Sequence, residues 1–131
     1  FEQVAQLAAQ VSPDVYGHFD LITRFNAGGA FFDEGAARYK RAALFAAQAL
    51  PAGAVVEVNL GRLFKGEGDI YPSVWLLREL NELGCRFMLS SDAHTAAAIG
   101  FAFDETCARL KKYGIRQLVR YKGGVLTDVE L

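Results

Sequence analysis

The stretch RFMLSSDAH, residues 86–94, combines an apolar run with a short polar motif that follows it directly. Residues 86–91 are predicted to form a buried strand, and Gly84 ends the helix that precedes it. Asp92 and His94 therefore stand where a strand ends. In α/β barrels the side chains at the carboxyl ends of the strands carry the chemistry, because the loops there converge around one opening.

The same alternation of strand and helix extends over the rest of the chain. Runs of β-branched residues bounded by Gly or Pro predict strands, and apolar stripes at helical spacing predict helices. The predicted strands are 15–17, 54–59, 86–91 and 117–121, and the predicted helices are 1–10, 34–50, 73–83 and 104–113. From residue 15 onward the order is β-α-β-α-β-α-β, which favours an α/β fold with parallel strands and outer helices.

The composition is that of a folded globular protein. Of the 131 residues, 52% are hydrophobic and 22% are charged, which excludes a chain that is disordered for lack of apolar residues. This length suits one compact domain. The formal net charge of -1 gives no general attraction to nucleic acid or to an anionic membrane, so an anionic substrate must be held by local charges.

Other protein classes find no support in the motifs. The apolar runs end well before the ~20 residues of a membrane span, and we expect a cytoplasmic enzyme. The sequence has no Gly-x-Ser-x-Gly, P-loop or Gly-x-Gly-x-x-Gly motif, which argues against serine hydrolases, NTPases and dinucleotide-binding enzymes. Cys85 and Cys107 lack C-x-x-C spacing and are expected to be reduced, partly buried thiols.

Both histidines of the chain follow predicted strands. The motif GHFD places His18 and Asp20 after the strand at 15–17, and SSDAH places Asp92 and His94 after the strand at 86–91. An imidazole beside a carboxylate at two strand ends favours a divalent metal site. The alternatives are a hydrogen-bonded loop histidine for His18 and a turn cap for Asp92.

Polar residues in and after the strand at 54–59 extend the candidate site. Glu57 and Asn59 share one face of that strand, and a carboxylate there is costly to bury unless it is paired or bound to a metal. A salt bridge from Glu57 to Arg62 or Arg86 is an equally good explanation. Arg62 and Lys65 lie among glycines in the following loop and are candidates for binding phosphate, although a solvated loop charge explains either one alone.

Taken together, five motifs resemble the polymerase and histidinol phosphatase family, and within it the histidinol-phosphatase branch. They are GHFDLITRF at 17–25, EVNLGRLFKG at 57–66, YPSVWLLRELNELG at 71–84, SSDAH at 90–94 and GFAFDE at 100–105. The resemblance covers nearly the whole chain, and the combination of motifs is more specific than any one of them.

The resemblance implies both a fold and a site. The fold is the C-terminal half of a distorted (β/α)7 barrel, in which phosphate esters are hydrolysed by a metal-bound hydroxide. His18, Asp92 and His94 are implied as ligands of divalent ions (Zn, Mn or Fe), and Asp92 and His94 also as catalytic residues. Asp20 is implied as a partner that supports the ligands without binding the metal. Lys65 and Arg62 are implied as phosphate-binding residues.

The chain also departs from the family pattern. The H-x-H motif and the further His and Glu ligands of the first half of the barrel are not found in its sequence. Residues 1–131 are therefore expected to form a single partial domain that is inactive alone, and to need a homodimer partner or the N-terminal half. The expected substrate is a small phosphate ester rather than nucleic acid. A non-catalytic remnant or interaction domain and a nuclease of the same family are the alternatives.

Overall fold

The computed structural model describes residues 1–131, which form a mixed α/β fold. The helices are α1 (Glu2–Gln10), α2 (Ala37–Gln48), α3 (Gly61–Phe64), α4 (Val74–Glu82) and α5 (Phe103–Lys112). The strands are β1 (Val55–Asn59), β2 (Arg86–Ser90), β3 (Gln117–Lys122) and β4 (Val125–Glu130). Three short 3₁₀ turns lie at Leu21–Phe25, Ala27–Gly29 and Ala96–Ala98.

A small parallel sheet organises the site. β1 and β2 pair in parallel, from Val55 opposite Arg86 to Asn59 opposite Ser90. On the other side of β1 the chain near Tyr16 adds one parallel bridge, in which the backbone N–H of Tyr16 donates to the carbonyl of Val55 at 2.8 Å. The strand predicted at 15–17 is thus a single bridge. The segments that follow Tyr16, β1 and β2 all leave the sheet at the same edge, as parallel pairing requires.

One hydrophobic cluster supports this sheet. Val56 and Val58 of β1 are fully buried, and so is Leu80 on the apolar stripe of α4. Alanines on α2 complete the cluster, and their small side chains allow α2 to pack closely against α4. α4 begins directly after Ser73, and its buried stripe, which starts at Leu76, packs into this cluster and so fixes the position of Ser73.

The end of the chain differs from the prediction. β3 and β4 form an antiparallel hairpin that is a separate two-stranded sheet, so the prediction of parallel strands is wrong for β3. The turn at Gly123 and Gly124 has positive φ at both residues, which is the geometry that joins antiparallel strands. The structure therefore shows a mixed α/β fold with a two-stranded parallel sheet, and half of a barrel remains a prediction.

Two further predictions concern membrane spans and the state of the cysteines. The longest helix, α2, has 12 residues, and none of the helices combines the length and apolar character needed to cross a membrane. Cys85 is buried and Cys107 is half-buried, and neither forms a disulfide, as the sequence predicted.

Candidate functional site

A polar cleft of about 170 Å³ opens at the carboxyl edge of the parallel sheet. Five of the six residues predicted for the site line this cleft: His18, Asp92, His94, Arg62 and Lys65. They come from the segments after Tyr16, β1 and β2. The sheet thus brings together side chains that are far apart in the sequence.

His18 lies between two carboxylates. Its backbone N–H donates to Oε2 of Glu57 at 2.9 Å, and its Nδ1 is 3.2 Å from the same oxygen. Its Nε2 is 3.4 Å from Oδ2 of Asp92. The residue has a φ of 51°, in the left-handed region, so its backbone is held in an unusual conformation while both ring nitrogens face acidic oxygens. Glu57 is therefore the residue that orients the ring.

Glu57 in turn is held by Asn59. The side-chain amide of Asn59 donates to Oε1 of Glu57 at 3.1 Å, and the backbone N–H of Gly61 donates to Oδ1 of Asn59 at 2.8 Å. Only 1% of Asn59 is exposed, so its polar atoms are partnered inside the protein. The alternative salt bridges of Glu57 are wrong, because Arg62 does not contact it and Arg86 pairs with Asp128.

Asp92 is an anionic group at the centre of the cleft. Partial burial raises the pKa of Asp92, but the hydrogen bond from Asn59 and the charges of His18 and His94 outweigh it and lower the pKa below its usual value. The backbone of Asp92 also has a positive φ, 46°. The carboxylate is therefore ionised at neutral pH and fixed next to the ring of His18.

His94 presents one nitrogen to solvent. Its Nδ1 lies 2.8 Å from the carbonyl oxygen of Asp92. Because a carbonyl only accepts hydrogen bonds, Nδ1 is the donor in this contact. The side chain is exposed, and Nε2 is the ring nitrogen left without a partner in the protein.

Three cations face these acidic groups. Arg62 and Lys65 belong to the turn of α3, which begins two residues after β1, and Arg24 belongs to the 3₁₀ turn at Leu21–Phe25. The ring of Tyr71 lies under the guanidinium of Arg62, with 5.6 Å between the guanidinium carbon and the ring centre. Arg24 was not among the residues predicted from the sequence; its position four residues beyond GHFD was the available signal.

Asp20 is the predicted site residue that does not line the cleft. It is 1% exposed, and its Oδ2 accepts a hydrogen bond of 2.8 Å from the backbone N–H of Ser73, just before α4. Burial raises the pKa of Asp20, against the lowering effect of the Ser73 hydrogen bond. Asp20 therefore ties the segment after His18 to α4, and the contact to the ring of His18 is made by Glu57 instead.

The donors at the cleft fit part of a metal site. Two ligands that are each about 2.1 Å from a tetrahedral ion stand about 3.4 Å apart. That is the separation between Nε2 of His18 and Oδ2 of Asp92. However, no three His, Cys, Asp or Glu side chains converge on one point, so the chain provides two matched donors, while Nδ1 of His94 is bonded to the backbone carbonyl of Asp92.

Comparison with known proteins gives one relative and no family. No family model matches the chain. A protein of Schizosaccharomyces pombe (strain 972 / ATCC 24843) named "Probable histidinol-phosphatase" is 29% identical over 126 residues, which are 95% of this chain. The chain spans 41% of the length of that relative. This supports a distant relationship to a phosphatase.

Proposed function

We propose that this chain is the C-terminal part of a metal-dependent phosphomonoesterase of the polymerase and histidinol phosphatase family. Its proposed reaction is the hydrolysis of histidinol phosphate to histidinol and phosphate. The observation that carries the proposal is the cleft in which His18 and Asp92 face Arg24, Arg62 and Lys65. The similarity to a protein named as a histidinol-phosphatase supports the choice of substrate.

The proposed metal site uses His18, Asp92 and His94. The spacing of 3.4 Å between His18 and Asp92 suits a shared divalent ion such as Zn, Mn or Fe, and His94, which lines the same cleft, is proposed as the third ligand. When bound, such an ion supplies Lewis-acid chemistry by polarising a phosphoryl oxygen and making water more acidic. Glu57 keeps the ring of His18 in the orientation in which Nε2 faces Asp92.

The cationic side of the cleft is proposed to hold the phosphate. Arg62 offers a planar guanidinium that matches two phosphate oxygens, and Lys65 adds a mobile positive charge. Arg24 approaches the same space from the segment that carries His18. The net charge of -1 gives the chain no general attraction for a phosphate ester. These three cations supply the local positive charge that binding of the phosphate requires. Asp92 and His94 are proposed to be catalytic as ligands of the metal ion.

The rest of the active enzyme is proposed to come from outside residues 1–131. In this proposal the chain is a partial domain and the C-terminal half of a distorted (β/α)7 barrel, consistent with a match to 41% of the relative's length. Further metal ligands then come from an N-terminal half or from a homodimer partner. The chain alone is expected to be inactive or nearly so. A cytoplasmic location is part of the same proposal.

A second candidate is a non-catalytic interaction domain. The observation that favours it is the lack of three convergent metal-binding side chains. In that case the contacts of His18 with Glu57 and Asp92 only stabilise the loop after Tyr16. A nuclease with the same residues is a further alternative, and the net charge of -1 argues against it.

Metal titration separates the two candidates. The purified chain is titrated with Zn²⁺ and Mn²⁺, and phosphate release from histidinol phosphate is measured in the same solutions. The proposal predicts that the chain binds metal, that His94→Ala weakens this binding, and that turnover is low. Metal binding that is absent, or that is the same in His94→Ala and His18→Ala as in the unaltered chain, would support the interaction domain.

A further inference from the structure

The segment 66–71 encloses the guanidinium of Arg62. The Nε–H of Arg62 donates to the carbonyl oxygen of Glu67 at 2.9 Å, and the ring of Tyr71 covers one face of the group. Gly68 lies against its edge. The segment therefore folds back around the side chain of Arg62 and restricts the movement of its guanidinium.

Gly68 allows this enclosure. A Cβ atom at this position would lie 2.6 Å from the guanidinium carbon of Arg62 and closer still to its Nε, so a side chain here would displace the guanidinium. The φ of Gly68 is 150°, a conformation that other residues rarely adopt. Gly66 is a useful contrast, because its φ is 68° but a Cβ atom added there would have nothing within 4 Å.

The far end of the segment is anchored to α5. Both terminal nitrogens of Arg109 bond the carboxylate of Asp69, at 2.9 Å and 2.7 Å, and Oδ1 of Asp69 also accepts the backbone N–H of Ile70. A two-point contact between a guanidinium and a carboxylate fixes direction as well as distance. The anchor lies outside the cleft, since neither Asp69 nor Arg109 lines it.

We propose that residues 66–71 form a clamp that fixes the guanidinium of Arg62 for binding an anion, with Asp69 and Arg109 as its positioning residues. The inference rests on the proposed function, because it assumes that the cleft receives a phosphate. A fixed guanidinium loses little conformational freedom on binding, so the clamp strengthens binding. Asp69 and Arg109 thus act on the ligand through Arg62.

The clamp is tested by NMR with inorganic phosphate as the probe. The Nε–H signal of Arg62 reports on the enclosure through its rate of hydrogen exchange, and phosphate titration gives the dissociation constant. Asp69→Asn is expected to speed the exchange and to raise the dissociation constant about fivefold. Gly68→Ala is expected to do the same, and Arg109→Lys, which keeps the charge but loses the two-point contact, is expected to have a smaller effect.

Matched controls separate the clamp from general destabilisation. Asp128→Asn breaks the pair with Arg86, an exposed Arg–Asp contact elsewhere on the surface, and Gly123→Ala changes a glycine of positive φ in the hairpin turn, where an added Cβ atom would also have nothing within 4 Å. Both are expected to leave phosphate binding within about twofold of the unaltered protein, the spread of a surface substitution. Circular dichroism at each step confirms that the variants are folded.

The outcomes separate the clamp from the proposed function. Phosphate binding that is intact in the unaltered protein and unchanged in Asp69→Asn and Gly68→Ala overturns the clamp and leaves the proposed function standing. Equal losses in Asp69→Asn and Asp128→Asn overturn it as well. If the unaltered protein binds no phosphate, the proposed anion-binding cleft is wrong, and the clamp then has no ligand to act on. This conclusion holds even if the hydrogen exchange of Arg62 responds to Asp69→Asn.

Discussion

Nε2 of His18 lies 3.4 Å from Oδ2 of Asp92, across the edge of the parallel sheet. The two residues reach this position from segments on opposite sides of β1, and each has a positive φ. Non-glycine residues adopt that conformation at a cost, and it is often found where a site requires it. The pair is thus placed by the sheet and held by strained backbone, which is the arrangement expected of functional groups.

The first prediction concerns the metal affinity of this pair. Asp92→Asn keeps the shape of the side chain but removes the negative charge that a divalent ion requires, and His18→Ala removes the nitrogen donor. We expect either change to weaken Zn²⁺ binding at least tenfold, roughly the loss of one ligand contact of a few kcal/mol. Isothermal titration measures it. Asp14→Asn, at an exposed position outside the cleft, is the control and should bind Zn²⁺ like the unaltered protein.

Glu57 is predicted to act on metal binding through His18. Glu57→Gln weakens the contact with Nδ1 of His18 and leaves the core residues of β1 in place. Residues that orient a metal ligand typically change the affinity by about 10–100-fold. We therefore expect Zn²⁺ binding to weaken by about tenfold while the melting temperature changes little. A loss of stability without a change in Zn²⁺ affinity would mean that Glu57 serves only the fold.

The location of the site was predictable from the sequence, whereas its internal contacts were not. Parallel strands that alternate with helices place the residues after each strand at one edge, so His18, Asp92 and His94 were expected to meet there. Arg24 was missed because it lies on a single 3₁₀ turn, which has no periodic signal. The partner of Glu57 depends on which face of β1 meets the segment after Tyr16, a tertiary contact that local pattern does not encode.

The C-terminal hairpin of β3 and β4 was also predicted only in part from the sequence. Gly123 and Gly124 form the turn of this hairpin, and the alternation in Val125–Glu130 was not interpreted as a strand. This strand is mostly exposed, so it lacks the apolar run that identified β1 and β2. Its pairing with β3 follows from the antiparallel turn, and of its side chains Val129 packs against the core.

The third prediction concerns the core under the site. Leu80 is fully buried in α4, and Leu83, at the end of the same helix, is 42% exposed. Leu80→Ala creates a cavity and is expected to reduce the free energy of unfolding by about 3 kcal/mol. Leu83→Ala is the matched control and is expected to cost under about 1 kcal/mol. Urea unfolding followed by circular dichroism measures both, and equal losses would contradict the packing described for α4.

The fourth prediction concerns the pH dependence of the Asp69–Arg109 pair. The hydrogen bonds from Arg109 lower the pKa of Asp69, against the raising effect of partial burial. A carboxyl whose pKa is lower in the folded state stabilises the fold above its unfolded pKa, and this contribution is lost as the pH falls through the folded pKa. The pair is half-exposed, so its contribution is about 0.5 kcal/mol after screening by solvent.

We therefore expect Asp69→Asn to be less stable than the unaltered protein at pH 6 by about this amount. The difference should shrink when the pH is lowered below the usual pKa of an aspartate, about 3.9. Urea unfolding at several pH values measures it, with Asp128→Asn for comparison. A difference that stays constant down to the lowest pH would show that the charge of Asp69 does not contribute through this contact.

The last prediction concerns the reactivity of the two thiols. Burial raises the pKa of Cys85 to about 11, and burial with the nearby charge of Asp104 raises the pKa of Cys107 to a lesser extent. Alkylation requires the thiolate and access to solvent, and Cys107 is the more exposed of the two. Iodoacetamide at pH 8 should therefore modify Cys107 first and Cys85 only slowly, as mass spectrometry of peptides would show. In urea both should react at the same rate, because unfolding removes the burial that distinguishes them. Equal rates in the folded protein would mean that the chain between α4 and β2, which carries Cys85, opens readily.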